Sequence, residues 1–320
     1  MQLVSDEVSF EYLLSLMELE EGARATGFSS RVQTGALGER FFTKFLGRYP
    51  EKRLEWATGL YEGKIKLDQE IFEWLDMVTV ILLDPGPLVF VEAGAGYGRW
   101  SSRFFRAATL AGKKVAGILL LEPKFQHTRW AIQNRRLNGV PRSVWKVKRC
   151  ALGGKSGWEL LYSKMPEAGI RTGSTESWFG QSLVRAAQGL SSTDDISKPW
   201  AQWRLRMSGW SVELVRVRTL ASEIEGLGIV TLLDFDVQGS EFEIIEASID
   251  EINLKVKMMH ISTHSAEVET NLRHLLRSHG WALFRDFASN SEVEVGKFGK
   301  LRFRDGTQSW ANLRFWEAHS

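Results

Sequence analysis

The sequence predicts an α/β fold with a mostly parallel central sheet, an antiparallel strand near the C-terminus, a helical N-terminal extension and a tryptophan-rich insertion. Three observations carry this. From Leu88 onward, short apolar runs alternate with polar turns and helix-length amphipathic segments, the rhythm of βαβ units. The first run ends in a glycine-rich turn, Glu92-Ala93-Gly94-Ala95-Gly96-Tyr97-Gly98, where a strand should pass into a helix. The last apolar runs, around 281–287, 301–303 and 310–316, read as closing antiparallel strands.

Taken in order, Phe10, Leu13, Leu14 and Met17 fall at helical spacing, as do Phe72, Trp74, Leu75 and Val78. Residues 1–80 are therefore read as the helical extension and 81–320 as the main domain. Leu88, Val89, Phe90 and Val91 form a buried strand, and the next helix carries Trp100, Phe104, Ala108 and Ala111 on one side before Gly112 stops it. A second strand covers 115–121, and a helix over 125–137 ends at Asn138-Gly139, with Pro141 preventing its continuation. The third strand, 144–151, interleaves Lys146, Lys148 and Arg149 with apolar residues, which suits a sheet edge. Further strands are expected at 230–233 and 258–262. Each is followed by a helix, with Phe242, Ile245 and Ile249 on the first and Val268, Leu272, Leu275 and Leu276 on the second. Residues 163–211 break this rhythm and are read as an insertion.

Composition narrows the function classes. A formal charge of +2 over 320 residues lacks the concentrated basic footprint of a polyanion binder, so nucleic acid is not the expected partner. Cys150 is the only cysteine, which excludes an intrachain disulfide and fits a reducing compartment. Acids stand near the start, where a secretory signal would be basic, and the apolar stretch 78–91 is interrupted by Asp84, Pro85 and Pro87. A cytoplasmic protein without a membrane span is expected.

The chemistry is concentrated in the glycine turn. Gly94, Gly96 and Gly98 let the backbone approach a ligand closely, while Arg99 stands where a dinucleotide fingerprint would have its third glycine. A carboxylate at Glu92 repels pyrophosphate and attracts the cationic amino-acid end of a sulfonium donor. Glu122, before Pro123 at the end of the second strand, is placed to accept hydrogen bonds from ribose hydroxyls. The competing reading is that both acids merely cap helix starts.

Beyond this turn, EAGAGYGRW, LLLEPKFQHTRWAIQNRRLNGV, CALGGKSG and LLDFDVQGSEFEIIEAS occur in an order that resembles the FkbM family of methyltransferases. The resemblance implies a class I Rossmann-like methyltransferase fold. It implies S-adenosylmethionine as cofactor, S-adenosylhomocysteine as product, and O-methylation of a hydroxyl on a sugar, polyketide or related small molecule. It places Glu92, Gly94, Gly96, Tyr97, Gly98, Glu122, Pro123, Cys150 and Ala151 around the donor. Asp236, Gln238, Gly239 and Glu241 match the family's fourth-strand pattern, with Gln238 and Glu241 on the substrate side. Asp234 stands where the family commonly has lysine.

Removing a hydroxyl proton calls for a base, and Asp236 and His264 both fall at strand ends; an unperturbed histidine near pKa ~6.5 suits the task. Trp178, Phe179, Trp200, Trp203 and Trp210 make either a lid, with Trp178 and Trp203 against the acceptor, or an accessory core. No tight ligand cluster calls for a metal. The N-terminal helices offer a surface for a homo-oligomer. The competing functions are a nicotinamide-dependent oxidoreductase and a non-catalytic, RNA-associated scaffold.

Overall fold

The computed structural model describes residues 4–19, 31–46, 53–164, 181–182, 203, 206–207, 209 and 211–316. Seven strands form the central sheet: β1 (Leu88–Ala93), β2 (Val115–Leu121), β3 (Trp145–Lys148), β4 (Val230–Phe235), β5 (Val256–Thr263), β6 (Trp281–Phe287) and β7 (Gly306–Asn312). Their spatial order is β6-β7-β5-β4-β1-β2-β3, and every neighbouring pair is parallel except the two that β7 makes with β5 and β6. This order, with its reversal between β1 and β4 and one antiparallel strand beside β5, is the Rossmann-like fold of class I methyltransferases. The ligand crevice of such a sheet lies outside the carboxyl ends of β1 and β4, at the switch point.

Strand alternation divides the core in two. Phe90 and Leu232 face one side with α1 (Asp6–Glu18), α2 (Ile71–Leu83), α3 (Arg99–Leu110) and α4 (Phe125–Leu137). Val91 and Leu233 face the other, with α5 (Glu241–Glu246) and α6 (Ala266–Ser278). Being covered on both sides, β4 is buried at all six positions, and its one polar side chain before Asp234, Thr231, is satisfied by accepting from Val89 N at 3.1 Å.

Three sequence expectations are corrected. The N-terminal region is not simply helical. Besides α1 and α2 it has antiparallel pairs Val32–Thr34 with Arg40–Phe42 and Leu60–Tyr61 with Lys64–Ile65, and the short helix Leu54–Thr58. Residue 80 falls inside α2, which is buried along most of its length and shares one core with the sheet, so the boundary drawn there does not separate two bodies. The apolar side of α1, with Leu13, Leu16 and Met17, is used in that same core and is not left over for a second copy.

At the other end, Lys300–Phe303 pairs with Ser291–Glu294 in a separate hairpin, and Leu313–Trp316 is a helical turn. The third strand stops at Lys148. Ala151–Leu152 leaves to pair with Ser211–Arg218, which runs antiparallel to Gly157–Lys164, so these two long strands carry the insertion. β3 is the sheet edge; Lys148 at its end pairs with Glu223, and Arg149 just beyond it pairs with Glu213.

One feature of the α2 side is polar. Register aligns Glu92, Asp234, His260, Ser309 and Arg285 across five strands, and all five are buried. Asp76 of α2, itself fully buried, lies against this row. It accepts from Ser309 Oγ at 2.5 Å and from Arg285, and its Oδ2 is 2.6 Å from His260 Nδ1. Arg285 continues to Asp6 of α1 through Nε at 2.7 Å. Removing one partner of a buried pair leaves the other charge uncompensated, typically costing about 3–5 kcal/mol. Asp76→Ala is expected to lose stability on that scale in urea unfolding, far more than the exposed Glu11→Ala; equal midpoints for the two variants would refute the role given to the row.

Candidate active site

The glycine turn leaves β1 at the switch point and is fixed from three sides. Gly94 and Ala95 donate to the Leu121 carbonyl at 3.0 and 3.2 Å, tying the turn to β2, and Asp236 donates to the Ala93 carbonyl at 3.0 Å, tying it to the loop after β4. The two loops touch so closely that a Cβ on Gly94 would lie 1.9 Å from the Asp236 carbonyl oxygen, and Gly94 has φ +85°. Only glycine satisfies both constraints. At Gly98 a Cβ would run into Leu120 and Trp145, whereas at Gly96 it would meet nothing within 4 Å. Gly96 is thus the point of the turn open to a ligand.

Glu122 stands beside it. Its carboxylate accepts from Gly96 N at 2.8 Å and Lys124 N at 2.7 Å, with His127 Nδ1 at 3.5 Å. Oε2, addressed by the Gly96 amide alone, keeps a second acceptor direction for a hydroxyl, whereas Oε1 faces both Lys124 N and His127. The Pro123 carbonyl accepts from Arg149 Nε at 3.4 Å. Past β3, burial pushes the Cys150 thiol up to about 12, with Glu223 adding to the shift, so it remains a neutral wall residue next to the partly exposed Ala151. Tyr97 turns away from the turn into an aromatic cluster with Phe41 and Phe45, its ring 5.1 Å from that of Phe45.

Glu92 has a different task from the one its position suggests. It is 4% exposed, and its carboxylate accepts from Trp100 N at 3.3 Å, from Ser101 N at 2.9 Å and from the Ser101 hydroxyl. Burial, then the charge of Asp234, pushes its pKa up to about 8 against these hydrogen bonds. It caps α3, and an acid with that pKa carries little charge at neutral pH with which to attract a cation. Arg99, one turn position on, is held by both oxygens of Glu70 at 2.7 and 2.8 Å and lies 3.9 Å from the centre of the Trp56 ring.

Asp234 lies close enough to Glu73 of α2 for each to shift the other's titration. Burial raises Asp234 to about 6 against the opposing charge of His260, and burial together with Asp234 raises Glu73 well above the ordinary glutamate range.

Across the Gly94 contact lies a second group. Asp236 has 45% of its side chain exposed, and its Oδ1 accepts from Gln238 Nε2 at 3.0 Å and lies 3.5 Å from His264 Nε2. Burial by surrounding protein and the neighbouring Glu241 and Asp305 raise Asp236 against the pull of His264, and the solvent at its exposed edge moderates the rise. Gln238 holds its place with φ +61°, a conformation uncommon outside glycine. Glu241, expected on the substrate side, is fully buried and touches no open space: its Oε1 accepts from Gly239 N and is 2.7 Å from His264 Nδ1. Asp305 approaches His264 Nε2 to 3.9 Å from the turn before β7.

His264 therefore differs from an ordinary histidine. Burial disfavours its cation, but the hydrogen bond to Glu241 and the charges of Asp236 and Asp305 prevail and push it up to about 9. At neutral pH it is an imidazolium, not a vacant base. Glu73 and Asp305 escaped the sequence reading because one lies on a helix read as peripheral and the other in a turn with no motif. Trp178 lies outside the described residues, as do Phe179, Trp200 and Trp210; Trp203 is 64% exposed. Among the described residues no helix is long and apolar enough to cross a membrane, and no group of three or more His, Cys, Asp or Glu is arranged to hold a metal ion.

Comparison with known proteins adds a sequence relative. The chain is 28% identical over 243 residues to a protein of Jannaschia sp. (strain CCS1) described as "Putative methyltransferase", covering 74% of this chain and 80% of that one. Among solved structures, the methyltransferase FkbM from Methylobacillus flagellatus KT aligns with a TM-score of 0.41 at 12% identity, over 83% of this chain and 59% of that one. The B. subtilis M1A22 tRNA methyltransferase TrmK aligns at 0.37 and 10% identity, over 80% and 72%. No family model matches the sequence.

The two raised groups give stability a definite pH slope. His264 is raised from 6.5 to about 9 and Glu92 from 4.5 to about 8, so each binds its proton more tightly in the folded chain. Each contribution is complete below the unfolded pKa and lost as pH rises through the folded one. Their contribution to the urea midpoint should therefore decline between pH 4.5 and about 9. Glu92→Gln should flatten the part between 4.5 and about 8 and His264→Gln the part between 6.5 and about 9, and identical slopes in all three proteins would contradict the assignment.

Proposed function

We propose that this protein transfers a methyl group from S-adenosylmethionine to a hydroxyl of a small molecule such as a sugar or polyketide. The observation that supports it best is the contact between Gly94 and Asp236, because it sets an open glycine turn for the donor directly against a half-exposed carboxylate for the acceptor. The name of the 28% identical relative supports methyl transfer as the reaction type.

The donor side fits S-adenosylmethionine better than a dinucleotide. A pyrophosphate needs free amides at the helix start after the turn, and here the amides of Trp100 and Ser101 are already taken by Glu92. Gly96 offers an open backbone, Glu122 Oε2 has an acceptor direction left for a ribose hydroxyl, and Cys150 and Ala151 would border the base. When bound, S-adenosylmethionine supplies a methyl group made electrophilic by its sulfonium. The protein's part is to align the acceptor oxygen in line with that bond, exclude water and take a proton. Asp236 would take the hydroxyl proton of the acceptor as its oxygen is methylated, S-adenosylhomocysteine leaving as the neutral thioether.

Isothermal titration should show S-adenosylhomocysteine binding in preference to NAD or NADP, with Glu122→Ala weakening it by about tenfold or more through loss of a hydrogen bond to a charged acceptor. Asp236→Asn should slow methyl incorporation from labelled donor into the small-molecule fraction of a cell extract by about 10²–10⁴-fold with donor affinity kept. Preferential dinucleotide binding would overturn the donor assignment, and labelling confined to RNA would overturn the acceptor class.

A further inference from the structure

Four ionisable groups from four parts of the chain converge at His264, and their arrangement separates their roles. Glu241 comes from the start of α5, Asp236 from the loop after β4, His264 from the loop after β5, and Asp305 from the turn before β7. Glu241 is fully buried and cannot meet an acceptor, while Asp236 and Asp305 have 45% and 48% of their side chains exposed. His264 stands between the two kinds, with Nδ1 directed at Glu241 and Nε2 at the two exposed carboxylates.

Building on the acceptor site assigned above, we propose that Glu241 is a positioning residue. It fixes the His264 imidazolium through Nδ1 so that its positive charge, with Nε2 at 3.5 Å from Asp236 and 3.9 Å from Asp305, orients Asp236 for the incoming hydroxyl and draws Asp305 in as a second carboxylate. The bond pattern at Asp236 gives the reason. Gln238 and His264 both address Oδ1, which turns Oδ2 toward the acceptor as the oxygen that receives the proton. Glu241 is itself held, because the amide of Gly239 donates to the same Oε1 at 2.7 Å. Asp305 is held by Gln69, whose Nε2 lies 3.4 Å from Oδ2 and whose Oε1 accepts from the amides of Arg304 and Asp305. The segment before α2 thereby fixes the far wall of the acceptor site.

The groups facing His264 from the elements around it are Glu241, Asp236 and Asp305, all acidic, so every one favours the imidazolium. This reverses the pH behaviour of a histidine base. Methyl transfer should fall as pH rises through about 9, where His264 loses its proton, instead of rising through the ordinary histidine range near 6.5.

The test is an NMR titration of the full-length protein with labelled histidine, in which His264→Asn identifies its signal among the six histidines. His264 should titrate near pH 9 in the parent protein. Its midpoint should move down by about one pH unit in Asp305→Asn and by more in Glu241→Gln, with the other histidines unmoved. The labelled-donor assay on cell extract should show its alkaline fall moving down with the titration in Asp305→Asn. Should Glu241→Gln fail to fold, Asp305→Asn alone decides. A parent midpoint near 6.5, or no movement in Asp305→Asn, overturns the proposal. The titration needs neither donor nor acceptor, so a protein that shows these midpoints but binds no S-adenosylhomocysteine refutes the methyl-transfer reading while leaving the His264 geometry standing.

Discussion

The ion pair between Asp76 and the strand residues beneath it is the constraint on which the rest of the arrangement hangs. A carboxylate with no exposure to solvent survives only if its oxygens are filled, and those of Asp76 are filled by Ser309, His260 and Arg285 from three different strands. The pairing fixes α2 in translation and rotation over the sheet. It also penalises any slip in the register of β5, β6 and β7, because a one-residue shift would turn these polar groups to the opposite face.

With α2 fixed, the approach to the crevice is fixed as well. The turn before α2 contributes Glu70 to Arg99 and Gln69 to the Asp305 turn, and α2 itself contributes Glu73 to Asp234. Arg103, one helical turn past Arg99, is wholly buried between the rings of Trp74 and Trp100, at 4.3 and 4.4 Å, and donates to Glu39 and the Ala57 carbonyl. Two cations on one face of α3 thus gather the N-terminal segment against the helix that follows the glycine turn. Hydrophobic burial alone is nondirectional; these pairs supply the alignment.

The acids of the crevice are distinguished by surroundings, not by residue type. Glu92 and Asp234 lie in the buried row and are shifted toward their neutral forms, Glu122 is shared between two amides beside Gly96, and Asp236 meets solvent. Glu241, although its spacing from Asp236 suggests a shared role, is fully buried behind His264, with Oε1 2.7 Å from its Nδ1. The same residue types are thus set apart by position: Glu92 caps a helix, Glu122 bridges two amides, Asp236 meets solvent beside His264, and Glu241 is buried behind it.

The sequence by itself determined β1, β2, β4, β5 and β6, the helices that follow β1, β2 and β5, and the glycine turn, because apolar periodicity and glycine spacing are local properties. It pointed to Glu92 for a charge that burial largely removes. Asp76, Asp305 and Glu73 were invisible to it, and so was the union of the N-terminal segment with the sheet core. Each of these depends on which distant side chain arrives opposite: Asp76 meets residues 184, 209 and 233 positions away. Only the tertiary structure decided them, since the protonation and partners of a buried polar group are set by groups that no local pattern brings together.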